Sequence, residues 1–244
     1  MEDREAALLA RSCYQSPDEA QESGKRLGFE FEDLSLEESE VYVFSRPDAT
    51  VVAFRGTDGI ADLITDLKVK KRSIKMSGLL NGAKIHRGID EHLGVVRDFV
   101  IDRARMADSP LVYVGHSLGA GVAQVAALEA ACAEIKVSAV ITFGGMRPGN
   151  KSFVRAYNSR LGEVTRRYRQ ALDPVPNLPP RRWGYRHTLG DLYIDTSGRI
   201  RSKIGFWSSA WDFFARLTWR RRWDAKPEFL SAHSMSSYVK AFGR

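Results

Sequence analysis

Apolar residues along this chain fall into two alternating patterns. Short continuous β-type runs recur at Val41–Phe44, Thr50–Phe54, Leu111–Val114 and Val137–Phe143, with a weaker one at Val164–Tyr168. Between them the spacing becomes helical. Residues 4–13 and 17–27 read as helices, the second opened by Pro17 at the first helical position after Ser16. Residues 88–106 carry Ile89, Leu93, Val96, Val100 and Ile101 on one stripe of a longer amphipathic helix. Residues 118–133 are rich in alanine, and residues 150–161 follow a Pro-Gly turn. Strands that alternate with helices predict an α/β fold, a mostly parallel central sheet with helices on both faces. Apolar runs such as Val137-Ser138-Ala139-Val140-Ile141 suit strands covered on both sides. The proline-rich stretch 174–180 reads as a stiff loop. A single domain over residues 1–244 is expected, its last third elaborated by an aromatic and basic segment at about 201–223.

Composition narrows the class without naming a function. With 43% hydrophobic and 27% charged residues, the 244-residue chain is neither disordered, collagen-like nor a coiled coil. It is long enough for one large core. Lys and Arg number 37 against 30 Asp and Glu, and the excess is unevenly placed. Residues 1–50 hold 5 basic and 13 acidic side chains, whereas residues 151–244 hold 19 and 7. A cationic C-terminal third suits an anionic membrane surface or simply a solvated face. No nucleic-acid motif accompanies it, so no nucleic-acid partner is expected. Cys13 and Cys132 match no metal-ligand spacing and fit a reducing compartment. The acidic N-terminal segment lacks a basic region and an apolar stretch, so it does not read as a signal peptide. No run approaches a membrane-spanning length. The expectation is a cytoplasmic protein as synthesised, with at most peripheral membrane contact.

Candidate chemistry begins at Gly115-His116-Ser117-Leu118-Gly119. A bare Gly-x-Ser-x-Gly pattern is weak, and an ordinary turn with a serine at its tip is the bland alternative. Here four β-forming residues precede it and Ala120-Gly121-Val122-Ala123 opens a helix after it. Strand, sharp turn and helix are what a nucleophile elbow requires. A serine hydroxyl needs a base oriented by a carboxylate. His187 and His233 are the two histidines that follow Ser117. Asp173, after the 164–168 run and stiffened by Pro174 and Pro176, is well placed as the acid. Asp191 and Asp195 would leave little chain between acid and base.

Six blocks in order carry a resemblance: Phe54-Arg55-Gly56-Thr57, Ile85-His86-Arg87-Gly88, Gly115-His116-Ser117-Leu118-Gly119, Thr142-Phe143-Gly144, Asp173-Pro174-Val175-Pro176 and His233-Ser234-Met235. Together, over about residues 40–241, the chain resembles the class 3 lipase family. These are α/β-hydrolase esterases acting mostly on acylglycerols and, in some branches, on phospholipids. The resemblance implies an α/β-hydrolase fold with Ser117 as nucleophile, Asp173 as acid and His233 as base. It also implies an oxyanion hole from Thr57 and the backbone N–H of Leu118, a pairing that suits the elbow chemistry. Residues 58–67 align with the family's lid, and Ile60, Leu63, Ile64 and Leu67 fall on one helical face. His187 falls on a non-catalytic histidine, His86 and His116 on scaffold positions near the site, and His92 has only a helix-surface reading. The chain departs from the family at Gly119-Ala120-Gly121 and at Met146-Arg147-Pro148-Gly149-Asn150, where small or turn-forming residues are kept.

The activity implied is hydrolysis of lipid esters through a Ser-His-Asp triad and an acyl-enzyme, with no metal and no cofactor. A short-chain carboxylesterase and a catalytically idle hydrolase-fold binding protein are the alternatives. Residues 201–223 are either a cap helix over the core or an interfacial helix in which Arg220, Arg221 and Arg222 meet anionic lipid.

Overall fold

A strand that is apolar throughout needs cover on both faces. The computed structural model, which describes residues 1–36, 39–57, 71–73, 80–202 and 228–243, supplies that cover with helices. The described helices are α1 (Asp3–Ser12), α2 (Pro17–Arg26), α3 (Arg87–Met106), α4 (Leu118–Cys132), α5 (Lys151–Leu161), α6 (Glu228–His233) and α7 (Met235–Ala241). The described strands are β1 (Glu30–Leu36), β2 (Ser39–Arg46), β3 (Ala49–Phe54), β4 (Lys71–Ser73), β5 (Lys84–His86), β6 (Leu111–His116), β7 (Val137–Phe143), β8 (Thr165–Gln170), β9 (Asp191–Ile194) and β10 (Ile200–Arg201). Eight of them form one sheet in the order β1-β2-β3-β6-β7-β8-β9-β10. The run from β3 to β9 is parallel, and the margins are antiparallel. The sequence singled out five of these strands. It gave no signal for β1, whose Glu30, Glu32 and Asp33 stand exposed on the sheet edge and guard it against further pairing.

Alternation along the central strands divides the core in two. Val41, Val52, Phe54, Tyr113 and Val140 face α3, α4 and α5. Tyr42, Val51, Ala53, Val112, Val114, Ile141 and Phe143 face α1 and α7. The stripe of α3 is buried through Ile89, Leu93, Val96 and Val100, while Ile101 is only half-buried and Ala104 completes the face. Each large apolar side chain so buried contributes about 1.5–3 kcal/mol. Helix α4 packs on β3, β6 and β7 beside α3, which covers β1 and β2, and is buried on nearly every side, which its alanines and glycines permit. Helix α2 begins as expected: Ser16 caps it, accepting from the Glu19 amide, and Pro17 opens the first turn.

Parallel register sets the position of the site. Phe54 pairs with Gly115, His116 with Phe143, and Phe143 with Tyr168. The residues just beyond β3, β6, β7 and β8 therefore emerge side by side at the carboxyl edge of the sheet, where open α/β sheets place their reactive groups.

Candidate active site

Ser117 sits between β6 and α4 with φ 58° and ψ −122°, a left-handed conformation that a non-glycine residue holds only under constraint. The constraint is close packing. A Cβ on Gly115 would strike the Gly119 carbonyl, and one on Gly119 would lie 2.6 Å from the Arg55 oxygen. The Ser117 amide donates to the Phe143 carbonyl at 3.1 Å, anchoring the turn to β7. Leu118 is the first residue of α4, so its N–H is one of the four without an intrahelical acceptor, at the positive end of the helix.

Asp173 follows β8 and is buried, yet its carboxylate is fully engaged. Oδ1 accepts from the Val175 amide at 2.9 Å, and Oδ2 accepts from the Tyr238 hydroxyl at 2.6 Å. The His233 Nδ1 lies 3.0 Å and 2.9 Å from the two carboxylate oxygens. A carboxylate accepts, so Nδ1 carries a proton, which in the neutral ring leaves the lone pair on Nε2. Gly144, at φ +56°, forms the floor beneath the pair. A Cβ there would stand 2.7 Å from Asp173 Oδ2 and 3.0 Å from His233 Nδ1. His233 and Ser117 are both buried, and the His233 ring centroid lies 4.4 Å from that of His116, the serine's neighbour. Ser117 Oγ and His233 Nε2 have no hydrogen-bond partner among the described residues. An unengaged hydroxyl and an unengaged imidazole nitrogen are thus held in the same corner.

Thr57 leaves the end of β3, half-buried. The neighbouring Gly56 packs directly on the elbow, since a Cβ on it would fall 2.6 Å from the His116 carbonyl and 3.0 Å from Ser117 Cβ. The structure thus brings together Ser117, Leu118, Asp173 and His233, with Thr57 next to them. The lid residues Ile60, Leu63, Ile64 and Leu67, and the segment 203–223, lie outside the described residues.

The remaining histidines have other work. Both ring nitrogens of His187 are engaged: Nδ1 accepts from Arg167 Nη1 at 2.9 Å and Nε2 donates to the Pro176 carbonyl at 2.6 Å. Arg147 Nη1 donates to the Asn177 and Pro179 carbonyls. These two side chains therefore brace the loop that carries Asp173. Burial and the neighbouring Arg167 keep the His187 pKa well below its usual value. His86 caps α3, accepting from the Gly88 amide at 3.1 Å, and burial lowers its pKa to about 4. His92 is half-buried and lies 3.3 Å from the Ser39 hydroxyl, so it is more than a surface residue. Sequence reasoning missed Tyr238 and Tyr14. Among the described residues no group of three or more His, Cys, Asp or Glu could hold a metal ion, and no helix is long and apolar enough to cross a membrane.

Comparison with known proteins identifies the family and the fold. The family model of lipase (class 3) matches residues 51–183. A secreted mono- and diacylglycerol lipase 2 of Gibberella zeae is 34% identical over 181 residues, covering 60% of this chain and 43% of that protein. A secreted mono- and diacylglycerol lipase A of Penicillium camembertii is 27% identical over 183 residues, covering 72% and 58%. This chain thus spans about half the length of the curated relatives it matches. The solved structure of a triacylglycerol lipase, described as having a serine protease triad as its catalytic centre, superposes with a TM-score of 0.69 at 23% identity, covering 81% of this chain and 80% of that one. The expectation of a cytoplasmic protein is overturned by the relatives, whose names call them secreted and point to an extracellular location. Both cysteines are free, but two unpaired thiols and an acidic first segment do not determine a compartment.

Proposed function

As the chain belongs to the class 3 lipase family, we propose that it is a serine hydrolase of lipid esters, with acylglycerols as its substrate class. The reading rests on one observation above the others. His233 gives Nδ1–H to a buried carboxylate while its Nε2 and the Ser117 hydroxyl stand unengaged at the elbow. In this reading Ser117 attacks the ester carbonyl and His233 takes its proton. Asp173 holds the imidazole in the correct tautomer and steadies the imidazolium. The Leu118 N–H and Thr57 receive the developing oxyanion. His233 then protonates the leaving alcohol, and water, activated by the same imidazole, releases the fatty acid from the acyl-enzyme. The relatives' names support mono- and diacylglycerols and an extracellular place of action.

Two extensions rest on sequence. The first is a lid over residues 58–67 that opens at a lipid surface. It predicts a rate jump as substrate passes its solubility limit, lost in Leu63→Asp; a smooth saturation curve in the parent removes it. The second is peripheral contact with anionic membrane through the segment at 201–223, within one domain spanning the chain.

Hydrolysis of monoacyl-, diacyl- and triacylglycerol, phospholipid and a short-chain ester, measured side by side, tests the substrate class. Ser117→Ala and His233→Ala should each lower kcat by about 10⁴-fold or more. Asp173→Asn should fold normally and lose much of the rate. A Ser117→Ala variant that retains the parental rate would overturn the reading.

A further inference from the structure

Tyr14, just beyond α1, lies outside the segment matched by the family model, yet its hydroxyl touches two parts of the site. It lies 2.6 Å from His116 Nδ1 and accepts from the Gly56 amide at 3.2 Å. On the far side of the same ring, His116 Nε2 lies 2.7 Å from the His233 carbonyl oxygen. A carbonyl only accepts, so Nε2 carries the ring proton, Nδ1 is a bare lone pair and the tyrosine must donate to it. One polarised chain results, from Gly56 N–H to Tyr14 O–H to His116, and from His116 Nε2–H to the His233 carbonyl.

We infer that Tyr14 and His116 are positioning residues of the ester-hydrolysis reaction, a relay that fixes the oxyanion loop and the backbone of the base relative to each other. The inference rests on the hydrolase reading above. Its two ends are what set the relay apart from an ordinary buried histidine with satisfied nitrogens. One end is Gly56, the residue before the oxyanion-hole threonine and packed on Ser117 Cβ. The other is the main chain of His233, at the end of a six-residue helix whose last carbonyls have no intrahelical donor. Without the relay, the loop and the base hang from separate elements, and sub-ångström drift between them costs rate rather than affinity. The relay requires a neutral His116. Full burial and the adjacent His233 hold its pKa well below the usual value, so it does not compete for the proton that His233 takes from Ser117.

The test uses steady-state hydrolysis of soluble p-nitrophenyl butyrate by the full chain, with Tm beside it. Tyr14→Phe keeps the ring and removes the hydroxyl. It should lower kcat about tenfold, with KM within about twofold and Tm lowered by only a few degrees. His116→Leu should lower kcat by about 10²-fold, and His116→Gln should recover most of that loss, because its side-chain amide can donate to the His233 carbonyl. Should His116→Leu fail to fold, Tyr14→Phe against the parent decides. A folded Tyr14→Phe with parental kcat, or a His116→Gln no better than His116→Leu, overturns the relay. Both leave the hydrolase reading intact when the parent hydrolyses the ester and a fluorophosphonate probe labels it at Ser117. A parent that does neither removes that reading and the relay with it.

Discussion

Asp173 receives hydrogen bonds from three directions, and each has a different consequence when removed. The Val175 amide fixes the carboxylate to its own loop, His233 is the partner that the proposed reaction needs, and Tyr238 closes the third side. Tyr238→Phe leaves the packing and removes one donor from a buried carboxylate, so the charge is less well held and the imidazole less well aimed. Expect kcat to fall about three- to tenfold with little change in KM; an unchanged kcat in steady-state assays would make that hydroxyl structural only. Tyr113 is the opposite case. Its hydroxyl is buried in the core without a partner among the described residues, so Tyr113→Phe should be neutral or stabilise by about 1 kcal/mol in urea unfolding. Strand, turn and chain order marked Ser117 and Asp173 as candidates and the family resemblance added His233; the structure brings the three together. Sequence spacing could not identify Tyr14 or Tyr238, which meet their partners across 102 and 65 residues. No propensity or period encodes such a meeting.

Among the turns that join the elements, two glycines separate backbone strain from collision. Gly28, between α2 and β1, has φ +78° with nothing within 4 Å of an added Cβ. Gly144, beyond β7, has φ +56° with Asp173 and His233 directly overhead. Gly28→Ala should cost about 1 kcal/mol of stability and leave kcat intact. Gly144→Ala carries the same strain and also presses on Asp173 and His233, so a folded variant should be nearly inactive. Equal activity in the two variants, compared at matched folded fractions by circular dichroism, would contradict the packing account. The five predicted helices that fall on described residues match the observed ones to within one or two residues, because Ser16-Pro17, the α3 stripe and the alanines of α4 state their roles locally. Strands β1, β9 and β10 carry no such statement. Their side chains are mixed in polarity, and their pairing is decided by the neighbouring strand.

Taken as a whole, the molecule keeps three histidines uncharged by burying them: His86, His116 and His187 all have lowered pKa values. Unfolding exposes each imidazole and lets it take a proton near pH 6.5, so below that value the unfolded chain binds more protons than the native one. The stability is fully present above pH 6.5 and is lost as pH falls toward the native values, about 4 for His86. Between pH 7.5 and 5.5 the loss is about 1.4 kcal/mol for each histidine, or about 4 kcal/mol in all. Urea unfolding at the two pH values checks this, and equal or greater stability at pH 5.5 would refute it. The same three-dimensional closure orders events during synthesis. Helix α1 packs against α7, and His233, the proposed base, arrives only with α6, after Ser117, Asp173 and the sheet have been made. A nascent chain whose α6 and α7 are still inside the ribosome holds Ser117 and Asp173 but not the imidazole of His233. In the proposed reading, ester cleavage begins only when α6 and α7 are in place and α7 has docked against α1.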